Sequence, residues 1–162
     1  ALDTYLQRLD APEEARSDPA AFTRFAATHP LGLASPRGED HVRFVSGADF
    51  SARSLITIAS VPQGGLAWLM EGDAESVISA TDGACDQALD ELGGRDPLGI
   101  VAFDCIARRG VLGQNGIRSE IDRIAGKREG LPVAGFYTYG EIARKQGISG
   151  FHNQTLVVLA VS

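Results

Sequence analysis

The sequence predicts an α+β fold, in which a largely antiparallel β-sheet is packed with helices in the manner of small-ligand sensor domains. Several short strand-like segments follow one another at turn-sized spacings, and such connections favour antiparallel pairing. Residues 73–92 carry apolar side chains at helical spacing along their whole length, which indicates a helix covering one face of a sheet.

Size and composition set further bounds on the protein. The chain has 162 residues, 44% of them hydrophobic, and a net charge of -6. We expect a single domain over residues 1–162. The negative charge argues against general nucleic-acid binding, and no apolar run is long enough to span a bilayer. With Cys85 and Cys105 as the only cysteines, we expect a reducing, cytoplasmic location. The first residue is Ala1, so we expect a processed chain or a piece excised from a larger protein.

The first half of the chain should hold two helices and four strands. Helical spacing of leucines predicts a helix over residues 2–10, and Asp18-Pro19 has the form of a second helix start. The strands are predicted at residues 31–35, 41–45, 55–59 and 66–70. We expect a turn at 36–40, a polar connection at 46–51, and a hairpin that joins the last two strands.

The second half should begin with helix 73–92, capped by Asp73. The apolar run 98–103 predicts an interior strand, and residues 113–116 predict a loop between two short helices. Two last strands are predicted at 133–142 and 154–161, separated by a polar loop. Because that loop is short, we expect these two strands to pair antiparallel.

Two C-terminal motifs resemble a known family. They are Gly135–Ile142 (GFYTYGEI) and Phe151–Leu159 (FHNQTLVVL), and Cys105–Arg108 fits the same pattern upstream. Together they are similar to the C-terminal domain of the FIST family. The resemblance implies a sensory domain of signal transduction that binds a small molecule, an amino acid being one candidate. It also implies two partners, a FIST N-terminal half and a signalling output domain, in the same or a partner chain.

Candidate ligand-binding residues fall in these motifs. Arg108 suits bidentate binding of a carboxylate, and two tyrosines with a carboxylate on one strand face suit an amine or a hydroxylated ligand. A thiol at a helix start, as predicted for Cys105, is either a ligand contact or a packed side chain. The predicted ligand-binding set is Cys105, Arg108, Tyr137, Tyr139, Glu141, His152 and Asn153.

Two other functions are compatible with the same residues. One is an enzyme with Cys105 as nucleophile and His152 as base, and the other is a ligand-free interaction or dimerisation module. The sequence has no phosphate-binding glycine loop, no Gly-x-Ser-x-Gly motif and no short zinc-ligand spacing. We therefore expect no catalytic residues, no cofactor and no metal.

Overall fold

The computed structural model describes residues 1–34, 41–145 and 148–162. Helices and mostly antiparallel sheets make up the described chain, which confirms the predicted α+β class. The chain divides into two compact units, Ala1–Gly72 and Asp73–Ser162, each with its own hydrophobic core. The expectation of one domain over residues 1–162 stays a prediction.

The first unit packs two helices against small antiparallel sheets. Helix α1 covers Leu2–Arg8, a short 3-10 helix covers Glu13–Arg16, and α2 covers Pro19–Ala26. The strands are β1 Leu31–Leu33, β2 His41–Arg43, β3 Val45–Asp49, β4 Ser54–Thr57 and β5 Ala67–Leu69. Asp18 caps α2 by accepting a hydrogen bond from the Ala20 N–H at 2.8 Å, as the Asp-Pro pair predicts.

Strand pairing in the first unit differs from the prediction. Strands β4 and β5 do not form a hairpin, because β5 pairs with β1 and β4 pairs with β3. The segment 46–51, predicted as a polar connection, is mostly strand. Its side chains are half-buried or exposed, so the sequence of β3 lacks the alternation of apolar and polar residues that predicts a strand. The turn predicted at 36–40 lies outside the described residues.

The second unit is built around a three-stranded sheet in the order β10-β6-β7. Its helices are α3 Ala74–Asp90 and α4 Ile106–Ala125, and its strands are β6 Gly99–Cys105, β7 Val133–Thr138, β8 Glu141–Lys145, β9 Ile148–His152 and β10 Leu156–Val161. Both helices pack on this sheet. The core joins Cys85 of α3, Ile100 and Ala102 of β6, and Ile124 of α4.

Helix α3 begins as predicted. Asp73 accepts a hydrogen bond from the Ser76 N–H at 2.8 Å, and the Ser76 hydroxyl accepts one from the Asp73 N–H at 2.9 Å, which closes a capping box. Along the apolar stripe Thr81, Cys85 and Leu92 are buried, whereas Leu89 is half-buried against the core. The stripe therefore faces the core over only part of its width.

The predicted pairing of the last two strands is wrong. Strand β6 lies between them, since β10 pairs antiparallel with β6 and β7 pairs parallel with it. Helix α4 is the crossover that a parallel pair needs. It runs through the loop predicted at 113–116, with a kink at Gly113, which has φ 61°.

The strand predicted over 133–142 is also broken. The chain leaves β7 after Thr138 and enters β8 at Glu141, with Gly140 between them at φ 158°. The polar loop predicted after it is part of a β8–β9 hairpin, in which Glu141 lies opposite His152. This break matters because it separates side chains that a continuous strand would have kept on one face.

No helix in the described part of the chain is long and apolar enough to cross a membrane.

Candidate functional site

A pocket of about 300 Å³ lies in the second unit beside β7 and the C-terminal half of α4. We call it the β7–α4 pocket. It is lined by Ala102, Asp104, Glu120, Ile121, Ile124, Val133, Ala134, Gly135, Phe136 and Tyr137. Most of this lining is apolar, and two carboxyl groups are the exception. Apolar walls with a few convergent polar groups are typical of small-molecule sites.

One wall of the pocket is the edge of the sheet. Within the described chain β7 pairs with β6 alone. The Ile100 N–H donates to the Pro132 carbonyl at 2.9 Å, and in a parallel pair alternate residues bond to the neighbouring strand. Val133, Gly135 and Tyr137 therefore direct their backbone N–H and C=O groups away from β6, on the side of the pocket.

The floor of the pocket is an ion-pair network around Arg108. Its Nε donates to Asp104 Oδ1 at 2.7 Å, and its Nη2 donates to Glu120 and, at 2.8 Å, to the Thr81 hydroxyl. The Thr81 hydroxyl also lies 2.7 Å from Glu120 Oε1. The Arg108 side chain is only 3% exposed. The network thus connects α4, β6 and α3, with Arg108 at its buried centre.

The charges in this network do not balance. One guanidinium faces two carboxyl groups, and all three residues are buried. Burial raises the pKa of Asp104 to about 7, the neighbouring Glu120 carboxylate adds to the rise, and Arg108 opposes it. Asp104 therefore exchanges a proton near neutral pH.

A second polar cluster surrounds Glu141, at the end of β6. Glu141 is 3% exposed, and its carboxylate accepts hydrogen bonds from the hydroxyls of Thr138 and, at 2.9 Å, Thr155. The Cys105 thiol lies in the same cluster. Burial raises the pKa of this thiol, and the nearby Glu141 carboxylate raises it further. Hydrogen bonds from the backbone N–H groups of Ala107 and Gln154 partly oppose this rise. A raised pKa favours the neutral thiol over the thiolate, which is the nucleophilic form of cysteine.

The residues predicted from sequence divide between these two places. Tyr137 lines the pocket, and Arg108 lies in its floor. Cys105, Glu141 and His152 come together at the Glu141 cluster and the start of the β8–β9 hairpin. The guanidinium carbon of Arg109 lies over the Tyr137 ring, 5.4 Å from the ring centroid. The structure therefore shows two polar centres where the sequence predicted one.

Tyr139 and Asn153 lie at opposite extremes of burial. Tyr139 is 82% exposed at the break between β7 and β8, so it shares no face with Tyr137 or Glu141. Asn153 is fully buried, and its side-chain nitrogen donates to the His152 carbonyl at 3.0 Å. Its Oδ1 has no hydrogen-bond partner among the described residues. The predicted common face of Tyr137, Tyr139 and Glu141 is wrong, because the strand that would have carried them breaks.

Sequence reasoning missed the two carboxyl groups of the pocket. Asp104 could have been found, since a carboxylate inside the apolar run of β6 needs a partner, and Arg108 lies four residues on. Glu120 gave no such signal, because its contact with Arg108 spans 12 residues and depends on the kinked path of α4.

Among the described residues, no group of three or more His, Cys, Asp or Glu side chains is placed to hold a metal ion.

Comparison with known proteins gives one finding. Residues 1–144 match the sequence model of the FIST C domain. No match was found among curated proteins or among solved structures.

Proposed function

The chain belongs to the FIST C domain family, and on this premise we propose that it is a sensory module that binds a small molecule in the β7–α4 pocket. FIST C domains are sensory domains, found commonly in signal-transduction proteins. The observation that carries the proposal is the pocket itself, with its apolar walls and two carboxyl groups in about 300 Å³. That volume is at the small end of known ligand sites, and it suits a metabolite-sized ligand such as an amino acid.

The network beneath the pocket supports a signalling role. Glu120 of α4 is hydrogen-bonded to Thr81 of α3, both directly and through Arg108. A ligand that contacts Glu120 therefore acts on a side chain that links the two helices. A change in the charge or position of Glu120 is thereby coupled to the packing of α3 against α4. We propose that a FIST N-terminal half and an output domain, in this or a partner chain, respond to that change, in the cytoplasm.

A ligand screen tests the proposal. Thermal shifts of the purified chain are measured against amino acids, amines and other metabolites. A ligand at a hundred times its dissociation constant should add about 2.7 kcal/mol to the free energy of unfolding. In Ile121→Trp the indole occupies the pocket, so this shift should disappear, whereas the exposed Ser119→Trp should retain it. A shift that survives in Ile121→Trp, or a screen without any binder, contradicts the proposal.

The proposed function is not enzymatic, and the state of Cys105 supports this. Its thiol is 1% exposed and its pKa is raised, the opposite of an activated nucleophile. Iodoacetamide at neutral pH should therefore label Cys105 slowly in the folded protein, as it should the buried Cys85. Single Cys→Ala variants assign the labelled site. Rapid labelling of Cys105 with Cys85 inert would favour the enzyme with His152 as base.

One surface of the second unit favours an interaction module as the alternative function. The sheet face away from the helices carries Phe136 and Leu159, which are 61% and 52% exposed. Exposed apolar surfaces of this kind mark interaction sites. Light scattering across a concentration series distinguishes this function, because a dimerisation module assembles without any ligand.

A further inference from the structure

Resting on the proposed function, we infer the chemical class of the ligand: a primary amine whose ammonium group binds Asp104 and Glu120, with a short apolar or aromatic body and no carboxylate. Both carboxyl groups line the β7–α4 pocket. The inference goes beyond the sensory role, since it fixes the charge of the ligand and the groups that recognise it.

The first support is the charge of the pocket floor. Asp104 and Glu120 share one guanidinium, that of Arg108, and each forms an ion pair with it. With both carboxyl groups ionised, the network carries one negative charge in excess. A buried excess charge is unfavourable unless a counter-charge reaches it. A ligand ammonium in the pocket supplies that counter-charge.

The second support is the number of hydrogen-bond acceptors. An ammonium group has three donors and no acceptor, so it needs three acceptors converging on one place. The two carboxyl groups provide two of them. The outward carbonyls of β7, at Val133, Gly135 and Tyr137, belong to residues that line the same pocket and are not used by β6. A mixed carboxylate and carbonyl lining favours an ammonium over a neutral hydroxyl.

The third support concerns the rest of the ligand. Ile121 and Ile124 of α4 and Val133 of β7 give the pocket its apolar walls. A carboxylate on the ligand has no suitable partner in the floor, because the Arg108 guanidinium is 3% exposed and already donates to three side chains. A ligand carboxylate would instead face the carboxyl groups of Asp104 and Glu120, which repel it. An amine without a carboxylate therefore fits better than an amino acid.

Protonation should be coupled to binding. The groups that face Asp104 are Glu120 and Arg108 of α4, Thr81 of α3, and Tyr137 of β7 with Arg109 over its ring. The pKa of Asp104 is about 7, so part of the free protein carries a neutral acid at this position. A bound cation favours the carboxylate and releases that proton. If only the carboxylate form binds, the affinity for an amine should fall about tenfold between pH 8 and pH 6.

Four phenyl compounds of similar size test the inference by calorimetry and NMR titration. They are 2-phenylethylamine, 2-phenylethanol, 3-phenylpropionate and phenylalanine. At pH 8 the amine should bind about tenfold tighter than the alcohol, because hydrogen bonds to charged groups are stronger. The propionate and phenylalanine should bind more weakly than the amine. At pH 6, where Asp104 of the free protein is mostly protonated, binding of the amine should release a proton, which calorimetry detects as a dependence on the buffer's ionisation enthalpy.

Two variants at one exposed position give a matched control. Ile121 lines the pocket and is 57% exposed, so its substitution leaves the buried network intact. Ile121→Lys adds a positive charge to the pocket and should weaken amine binding at least tenfold relative to Ile121→Gln. Equal affinities in these two variants would overturn the inference.

The outcomes separate the two proposals. If the alcohol, the acid or phenylalanine binds as well as the amine, the ligand class is wrong, and the sensory pocket stands. If none of the four binds, the amine class is overturned. A failure of the whole metabolite screen is needed to overturn the pocket as a sensory site.

Discussion

Arg108 shows at the scale of one residue how a predicted ligand contact becomes structural. A guanidinium at the start of a helix suits carboxylate recognition, but here its donors are taken by Asp104, Glu120 and Thr81. Its role is to form ion pairs with two buried carboxyl groups. The carboxyl groups, rather than Arg108, are the polar groups that line the pocket.

Arg108→Met should therefore destabilise the protein strongly. It leaves two buried carboxyl groups without a cation, and such a loss costs about 3–5 kcal/mol. Urea unfolding of the variant measures the change. Arg123→Met is the matched control, because Arg123 pairs with Asp82 at the surface with half of its side chain exposed. The control should change the stability little. Equal effects of both substitutions would show that the Arg108 network is not buried in solution.

The raised pKa of Asp104 should appear in the pH dependence of stability. The folded state keeps the Asp104 proton up to about pH 7, whereas the unfolded chain loses it near pH 4. Between these values the folded state binds more protons, so the contribution of Asp104 falls as pH rises. Relative to Asp104→Asn, the wild type should lose on the order of 2–4 kcal/mol between pH 4.5 and pH 8.

Chemical denaturation of both proteins across this pH range is the measurement. Other carboxyl groups, such as Asp82 with its lowered pKa, are common to both proteins and cancel in the comparison. A stability difference that stays constant with pH would mean that Asp104 titrates normally.

At the scale of elements, the close approach of β6 and β7 depends on one glycine. A Cβ atom on Gly135 would lie 2.5 Å from the Ala102 carbonyl oxygen of β6, which is backbone and cannot rotate away. The two strands would have to separate. Since β7 also forms a wall of the pocket, their separation would change the pocket as well.

Gly135→Ala should accordingly destabilise the fold by about 1–3 kcal/mol, the usual cost of overpacking. Thermal and urea unfolding report the loss, and amide exchange of β7 locates it. Ala134→Ser, at the adjacent exposed position of the same strand, is the control and should have a small effect. An unchanged stability in Gly135→Ala would contradict the register of β6 with β7.

At the scale of the whole molecule, the two compact units have separate cores. The core of the first unit lies entirely within residues 1–72 and includes Leu2, Tyr5, Leu6, Ala11, Ala15, Phe22, Ala26, Leu31 and Val45. Aromatic contacts of Tyr5 and Phe22, with ring centroids 5.9 Å apart, lie inside it. The core of the second unit has fewer fully buried side chains.

A fragment of residues 1–72 should therefore fold on its own. We expect helical circular dichroism and a cooperative thermal transition, because α1, α2 and the strands they cover are all present. A fragment truncated after Arg43 removes Val45 and β3, which packs against α2, and serves as the control. A 1–72 fragment without a cooperative transition would show that its core depends on the second unit.

Local patterns in the sequence determined the element types and several of their boundaries. The Asp73 cap, the helical spacing of α3 and the apolar run of β6 each act through neighbours within a few residues, so one chain segment contains the whole signal. The α+β class follows from these segments, and the FIST resemblance follows from its two motifs.

Strand partners and the pocket were decided by the tertiary structure. Alternation of side chains determines which face of a strand is buried, but it carries no information about which strand lies beside it. Strand β6 could therefore separate β7 from β10, although a short connection predicted their pairing. Because the strand breaks at Gly140, Tyr137 lies in β7 and Glu141 in β8. Glu120 contacts Arg108 of the same helix only because α4 is kinked at Gly113, and a contact across twelve residues depends on that change of direction, which local sequence does not encode.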